Sequence, residues 1–331
     1  MGVALSVSGV LALSGCSSSS PRSSGGASPG SQATAKGLTV EGEWPLTGFP
    51  ATGTAPTHPV MVVKIDNSLS SSPQIGLSKA DLVTEELVEG GITRLAVFYY
   101  QTVPRLVGPV RSMRASDIGI VQPAKAVLVA SGGAPVTLRR VKAAGIKAFT
   151  EGAVGFQRDS SRVAPYNLFM HLDRLAKRVK AKDTVPSYLP FGPASSLPEG
   201  APAKGLDAVF SSGHTTRWSY HQGAHGGTYV NVNSNAAADD QFTPGTVLVL
   251  RVRIGDAGYR DPAGNPVPVT KFTGTGKALL FHGGRVVKGT WSKTLDSTIS
   301  LRSAKGSLTV PAGHTWIELV PKHGGSVTIH K

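Results

Sequence analysis

The sequence predicts an α+β fold (mixed α/β), an N-terminal α/β sandwich-like domain followed by a mostly antiparallel β domain. Three observations carry this. Aromatic residues make up 6% of 331, while Gly (40) and Pro (23) are plentiful, a composition of turns and strands more than of long helices. Between residues 60 and 182 apolar strand-like runs and helical patterns are interspersed. Beyond the prolines Pro186, Pro190, Pro193, Pro198 and Pro202, short apolar segments recur at regular spacing with glycine turns between them.

The elements follow in chain order. "VMVVKIDN", 60–67, is an apolar-rich strand ending in turn residues. "DLVTEELVEGGITRLAVFYY" reads as a β-hairpin in which Gly90-Gly91 forms a two-residue turn. That turn pairs Glu89 with Ile92, Leu87 with Arg94 and Glu85 with Ala96. It puts Glu85, Glu89 and Arg94 on one face, with Arg94 in reach of both acids. "SMRASDIGIV" starts a helix capped by Ser112 or Ser116. "KAVLVA", 125–130, is a short buried strand, and "VTLRRVKAAG" a helix with Pro135 in its first turn and Gly145 as its stop. "MHLDRLAKRVKAK", 170–182, is a basic amphipathic helix with Leu172, Leu175 and Val179 as its apolar stripe. The proline-rich residues 186–205 are the linker, which places the two domains at 41–185 and 206–331.

The N-terminus sets the compartment. Val3 to Leu13 is an apolar run of signal-peptide length that leads through Leu13-Ser14-Gly15 to Cys16, the single cysteine. This resembles a bacterial lipobox. Residues 1–16 are then a lipoprotein signal peptide, Cys16 the lipidated residue, and 17–40 a Ser/Gly/Pro-rich tether. All 34 basic and all 20 acidic residues lie beyond Cys16, so the exported part keeps the formal charge of +14. Such a charge calls for an anionic partner. Export to the outer face of the membrane argues against nucleic acid and for lipid phosphates, polyprenyl phosphate or anionic glycopolymers.

Four arginines stand in "GGITRLAVFYYQTVPRLVGPVRSMR", two of them, Arg111 and Arg114, just after Gly108-Pro109. "QRDSSRVAPYN" adds Arg158, Asp159 and Arg162, and Ser131-Gly132-Gly133 joins a strand to a helix, an arrangement that aims backbone N–H groups at an anion. Arg94, Arg111, Arg114, Arg158 and Arg162 with that loop are the candidate ligand site, gripping phosphate or carboxylate through guanidinium contacts. Glu85, Glu89 and Asp117 are the supporting acids. The competing reading is structural, with each arginine paired to an acid or a carbonyl. His214, His221 and His225 cluster in a Gly- and Thr-rich stretch without a carboxylate at metal spacing, so no metal and no cofactor is expected.

The run from Ala80-Asp81 through Glu85, Glu89 to Arg94 and Gly108 to Ser112, followed by Arg114, resembles the YerB-like lipoproteins, a bacterial family without an established activity. "PLTGFPA", "ASGGAP" and "RDSSRVAPYNL" fit its other N-terminal blocks. Gly274, Gly276, Gly284, Gly289, Trp291, Gly313, Trp316 and Pro321 fit its C-terminal ones. The resemblance covers about 43–325 and implies a two-domain α/β lipoprotein on the outer membrane face. The arginine-bearing hairpin also looks locally like the LytR-CpsA-Psr cell-wall ligases, which hold a polyprenyl pyrophosphate.

Three functions stay open at this point. The first is a lipoprotein that binds an anionic envelope ligand or a partner in cell-wall synthesis. The second is a phosphoryl or glycopolymer transferase in which Asp117, Asp159 or Glu85 holds a metal or acts as base. The third is a scaffold with every arginine in a salt bridge.

Overall fold

A computed structural model describes residues 1–2, 42–223 and 226–331. The signal peptide beyond residue 2, Cys16, the tether and His225 lie outside the described residues. The fold is mixed α and β, mostly sheet with few helices.

The first half supplies β1 (Met61–Asp66), β2 (Leu82–Leu87), β3 (Thr93–Tyr99), α1 (Asp117–Val121), β4 (Val127–Val129), α2 (Pro135–Ala143), β5 (Ala148–Phe149), β6 (Phe156–Arg158), β7 (Leu168–Met170) and α3 (Leu172–Arg178). Next come β8 (Phe191–Gly192), β9 (Ala201–Pro202), β10 (Gly205–Ser211), β11 (His214–His221) and β12 (Thr228–Asn231). The long β13 (Thr246–Arg260) leads into β14 (Pro266–Lys271), β15 (Gly274–His282) and β16 (Arg285–Lys293). Then follow β17 (Ser300–Ser303), β18 (Gly306–Ser307), β19 (Val310–Pro311), β20 (Thr315–Pro321) and β21 (Ser326–His330).

One sheet of 13 strands runs through both halves, in the order β18-β17-β16-β15-β13-β20-β2-β3-β1-β4-β5, with β14 and β9 attached beside it. The junction is β20, parallel to β13 on one side and to β2 on the other. Most C-terminal pairings are antiparallel, as the alternation of short strands and glycine turns predicts, and β19 and β20 pair in parallel. A second sheet, β12-β11-β10-β21, packs on one face of the large one, where Trp218 stacks edge-on against Trp316 at 5.0 Å. The other face is covered by the apolar side of α1, by Leu46 and by Tyr188, Leu189 and Phe191. Central strands are thereby buried on both faces. Their apolar residues divide by period-2 alternation, with Val62, Leu82, Ala96, Leu248 and Ile317 toward one core and Val63, Val83, Val97, Val247 and Trp316 toward the other.

Several elements depart from the sequence expectation. The hairpin turn takes three residues, Glu89–Gly91, closed by Val88 N–H on the Ile92 carbonyl, with both glycines at positive φ. The register shifts by one, so Glu85 pairs with Leu95, Glu86 with Arg94 and Leu87 with Thr93. Ser116 sits at the N-cap of α1, but its hydroxyl accepts the Thr270 N–H at 2.9 Å instead of capping the helix. Helix α3 is shorter than the basic run because the chain turns extended at Val179 and bonds through Ala181 to Thr57. The proline-rich stretch between the two domains is itself paired into the fold. Phe191 and Gly192 pair with Val310 and Pro311, Ala201 and Pro202 pair with β16, and Tyr188 is buried with its hydroxyl on the Ile120 carbonyl.

Because β20 ties the halves into one sheet, they are expected to unfold together. Leu248, fully buried and paired to Leu280 and Ile317, tests this. Leu248→Ala should lower stability by about 2–5 kcal/mol in urea titrations while a single transition is kept by fluorescence and circular dichroism. Two separated transitions would contradict the coupling.

Candidate functional site

A charged residue in a strand with no water on either face needs an opposite charge or hydrogen bonds. Lys64, in the middle of β1, is fully buried, and its Nζ lies 2.7 Å from Glu86 of β2 and 2.8 Å from Asp117 of α1. Its pKa is raised despite burial, because the Asp117 and Glu86 carboxylates beside it hold the proton. Asp117 also accepts the Arg114 backbone N–H at 2.6 Å, which pins the start of α1 to the end of the arginine segment.

The Glu89 carboxylate gathers two of the sequence-predicted arginines, Arg94 and Arg114. Arg94 donates to it at 3.0 Å, and Arg114 donates to both its oxygens, through Nε at 2.8 Å and through Nη2. Arg94 also donates to the Ser112 carbonyl at 3.0 Å and Arg114 to the Met113 carbonyl at 2.8 Å. Although burial opposes it, the hydrogen bonds and charge of Arg114 and Arg94 bring the Glu89 pKa down to about 2. Both guanidinium side chains are under a tenth exposed. Arg111 turns outward. Its Nε lies 3.1 Å from the buried Asp66, its charge sits 5.2 Å from the Tyr166 ring centroid, and it donates weakly to the Pro165 carbonyl.

The Ser131-Gly132-Gly133 loop lies along this segment. Ser131 N–H donates to the Arg111 carbonyl and Met113 N–H to the Gly132 carbonyl, while the Ser112 and Ser131 hydroxyls are 3.2 Å apart. The loop meets the arginine strand, and its Ser131 N–H is already engaged. Arg158 is more distant: it forms a two-point pair with Glu151 at 2.7 and 2.8 Å and reaches Asn167. Arg162 holds the Pro73 and Ser71 carbonyls at 2.8 and 3.3 Å, with Asp159 at 3.6 Å. Shallow clefts beside them, of about 280 and 380 Å³, are lined by Arg158, Asp159 and Phe169 and by Ser70, Arg162 and Tyr166.

Glu85 corrects the expectation that it orients Arg94. The one-residue register shift sends it to the opposite face of the sheet, where it is the parallel neighbour of Glu318 on β20. One Glu85 oxygen accepts from Thr93 at 2.7 Å, Thr216 at 2.9 Å and Asn67 at 3.0 Å, and lies 2.9 Å from His214 Nε2. Burial disfavours its charge, but the hydrogen bonds and charge of His214, with those hydroxyls, hold its pKa below the usual range. Glu318 goes the other way. Burial and the neighbouring Glu85 charge push it well up, while Trp218 Nε1–H donates to Glu318 at 2.7 Å. His214 is thus an acid's partner, and His221 stands at the exposed end of the same strand. Glu85, Asp117 and Asp159 are not brought together as a metal or base group.

The sequence reading missed Lys64, Asp66, Asp81, Glu86 and Glu318. Lys64 had a signal: a lone cation inside an otherwise apolar strand demands an acid. Asp81 accepts the Tyr100 and Gln101 N–H groups at 2.6 and 3.0 Å, locking the start of β2 to the end of β3.

Residues 46–185 match the family described as Protein of unknown function (DUF3048) N-terminal domain, and residues 206–317 match its C-terminal domain. The chain is 25% identical over 287 residues to "Putative lipoprotein YerB" of Bacillus subtilis (strain 168), covering 84% of this chain and 86% of the relative. The crystal structure of YerB from Bacillus subtilis superposes with a TM-score of 0.70 at 22% identity, over 86% of this chain and 99% of that one.

The two glutamate centres make opposite pH predictions. Glu89, depressed to about 2, contributes stability that is full above an ordinary carboxylate pKa of about 4.3 and is lost as pH falls toward its folded value. Glu318, raised, favours the fold while protonated, and that contribution is lost as pH rises from about 4.3 through its folded pKa. Glu89→Gln should cost about 3–5 kcal/mol by stranding two buried guanidinium groups, and should flatten the acid limb of the melting-temperature profile. Glu318→Gln should cost little and flatten the limb above pH 4.3. Equal costs for both variants would contradict the assignment.

Proposed function

The chain belongs to the DUF3048 family, and from its charge distribution we propose that it is a cell-envelope lipoprotein that binds an anionic envelope ligand. In this reading Cys16 carries the lipid and residues 17–40 tether the folded part to the outer face of the membrane. The name of the Bacillus subtilis relative and the lipobox-like run before Cys16 support the anchor.

The single observation that carries the binding role is where the charges go. Among the described residues, seven acids, Asp66, Asp81, Glu85, Glu86, Glu89, Asp117 and Glu318, are buried, against four bases (lysine and arginine), Lys64, Arg94, Arg114 and Lys293. With 34 basic and 20 acidic residues in all, the surface is therefore more basic than the sequence charge of +14 indicates. A field of that sign draws polyanions such as glycopolymers and lipid phosphates, and it does so in a salt-dependent way.

Among the sequence-predicted residues, Arg111, Arg158 and Arg162 are open enough to contact such a ligand, beside Tyr166 and the two shallow clefts. Their carboxylate and carbonyl partners already take most of their hydrogen bonds. For Arg94 and Arg114, the pairing to Glu89 and to backbone carbonyls favours a structural role, the scaffold reading applied to those residues.

Two measurements test the reading. Cys16→Ser in the full chain should move the protein from the membrane pellet to the soluble fraction. The same variant should bind poly(glycerol phosphate) at low salt, with affinity falling steeply as salt rises. Binding that is absent or indifferent to salt would sink the anionic-ligand role while leaving the anchor intact.

A further inference from the structure

Among the described residues, one groove where cations gather without acids lies in the C-terminal half, away from the arginine blocks. Beyond the edge of the covering four-stranded sheet, β13 carries Arg251 and Arg253 on the same face, two residues apart. A groove of about 710 Å³ opens there, lined by Arg251, Arg253, Lys277, Lys322, Thr275 and Thr290, with Gly274 and Gly276 in its wall. No carboxylate lines it, and among the described residues Arg253, Lys277 and Lys322 have no salt-bridge partner.

The groove is built. Arg251 Nη2 is fastened to three carbonyls, those of Pro321 at 2.6 Å, Gly325 at 2.7 Å and Lys322 at 3.1 Å, while its Nε is buried without a partner. Carbonyls hold the side chain in place but leave its charge uncancelled. The wall is as specific: a Cβ at Gly276 would lie 2.2 Å from the Arg251 carbonyl and 2.5 Å from Trp291 Nε1. The missing side chain lets the Trp291 indole N–H reach the Arg251 carbonyl at 3.2 Å. Lys271, the register partner of Arg253 on β14, extends the cationic strip along the sheet.

Resting on the anionic-ligand reading above, we infer that this groove is its principal binding site and that it takes an extended phosphodiester polymer of the glycerol-phosphate type. Alternate residues of a strand stand about 6.7 Å apart on one face, so Arg251 and Arg253 present charges in a row and not at a point. Lys277 and Lys322 flank that row. A repeating chain of single phosphates meets such a row one charge after another, whereas an isolated phosphate uses one end of it. The guanidinium groups supply paired N–H donors to phosphate oxygens, and the lysines supply mobile charge.

The test uses the full chain carrying Cys16→Ser, so that no lipid contributes, with thermal stability checked for every variant. Poly(glycerol phosphate), inorganic phosphate and phosphatidylglycerol vesicles are the probes. Arg253 and Lys277 are exposed, and the Arg253→Gln, Lys277→Gln double variant should fold normally. It should bind the polymer about tenfold more weakly and lower the salt slope by about 1 for each cation removed. Lys125→Gln, Lys147→Gln, in a second basic cleft, should leave the polymer affinity within about twofold. Equal losses in both double variants would overturn the groove while keeping the anionic-ligand reading, because binding would then follow overall charge. Vesicles or inorganic phosphate outcompeting the polymer would overturn the polymer assignment. No polymer binding by the parent would overturn both readings.

Discussion

Everything in this fold follows from β20 entering between β13 and β2. A strand from the end of the chain thereby closes the sheet begun by the first, and the strands at the junction lose water on both faces. Any charge they carry must be answered inside the protein, because an isolated buried ion costs several kcal/mol. Lys64 is answered by Glu86 and Asp117, Arg94 and Arg114 by Glu89, and Asp66 by Arg111. On the opposite face, Glu318 is brought beside Glu85, burial and that neighbouring charge push its pKa up, and donors from Trp218, Thr93, Thr216 and Asn67 meet the two carboxyls. These contacts link strands of both halves with the covering sheet. Their directionality fixes a register that apolar packing alone specifies loosely.

How much of this was legible in the sequence depends on the range of the interaction. The hairpin, helix α2 with Pro135 at its first turn and Gly145 after it, and the recurrent C-terminal strands were all readable. Each is a local pattern of alternation, caps and glycines. The ion pair between Arg94 and Glu89 was readable too, since it bridges a single turn. The register was not. Gly90-Gly91 signals a turn equally well with two residues or three, and the choice of three moves Glu85 to the far face of the sheet. The partnership of Glu85 with Glu318 spans the length of the chain, and nothing local in "TWIELVP" marks its acid as buried.

The same logic separates what the arginine-rich blocks do from what the surface does. A pattern such as Glu-Gly-Gly-Ile-Thr-Arg followed by Gly-Pro-Val-Arg-Ser-Met-Arg has the composition of an anion site, and of its arginines Arg94 and Arg114 do converge. They converge on Glu89, at a depth where an incoming phosphate would have to displace a two-point carboxylate contact. Convergence of cations is thus only half of a binding signature. The other half is a charge left uncancelled within reach of solvent, and that is what distinguishes Arg251 and Arg253 from Arg94 and Arg114.

The two uses of charge depend on each other. Placing acids inside and bases outside leaves a surface that repels itself, and a small, weakly packed core tolerates that poorly. Here the inward acids are the groups that hold the sheet together, so the feature that leaves the surface basic also supplies the cohesion that withstands it. The strand geometry completes the argument. In a β-strand, residues two apart stand in a row on one face. Where the covering sheet ends, that row passes from buried apolar residues such as Val249 to Arg251 and Arg253 without a change of backbone. The cationic groove is therefore the solvent-facing continuation of the core strand.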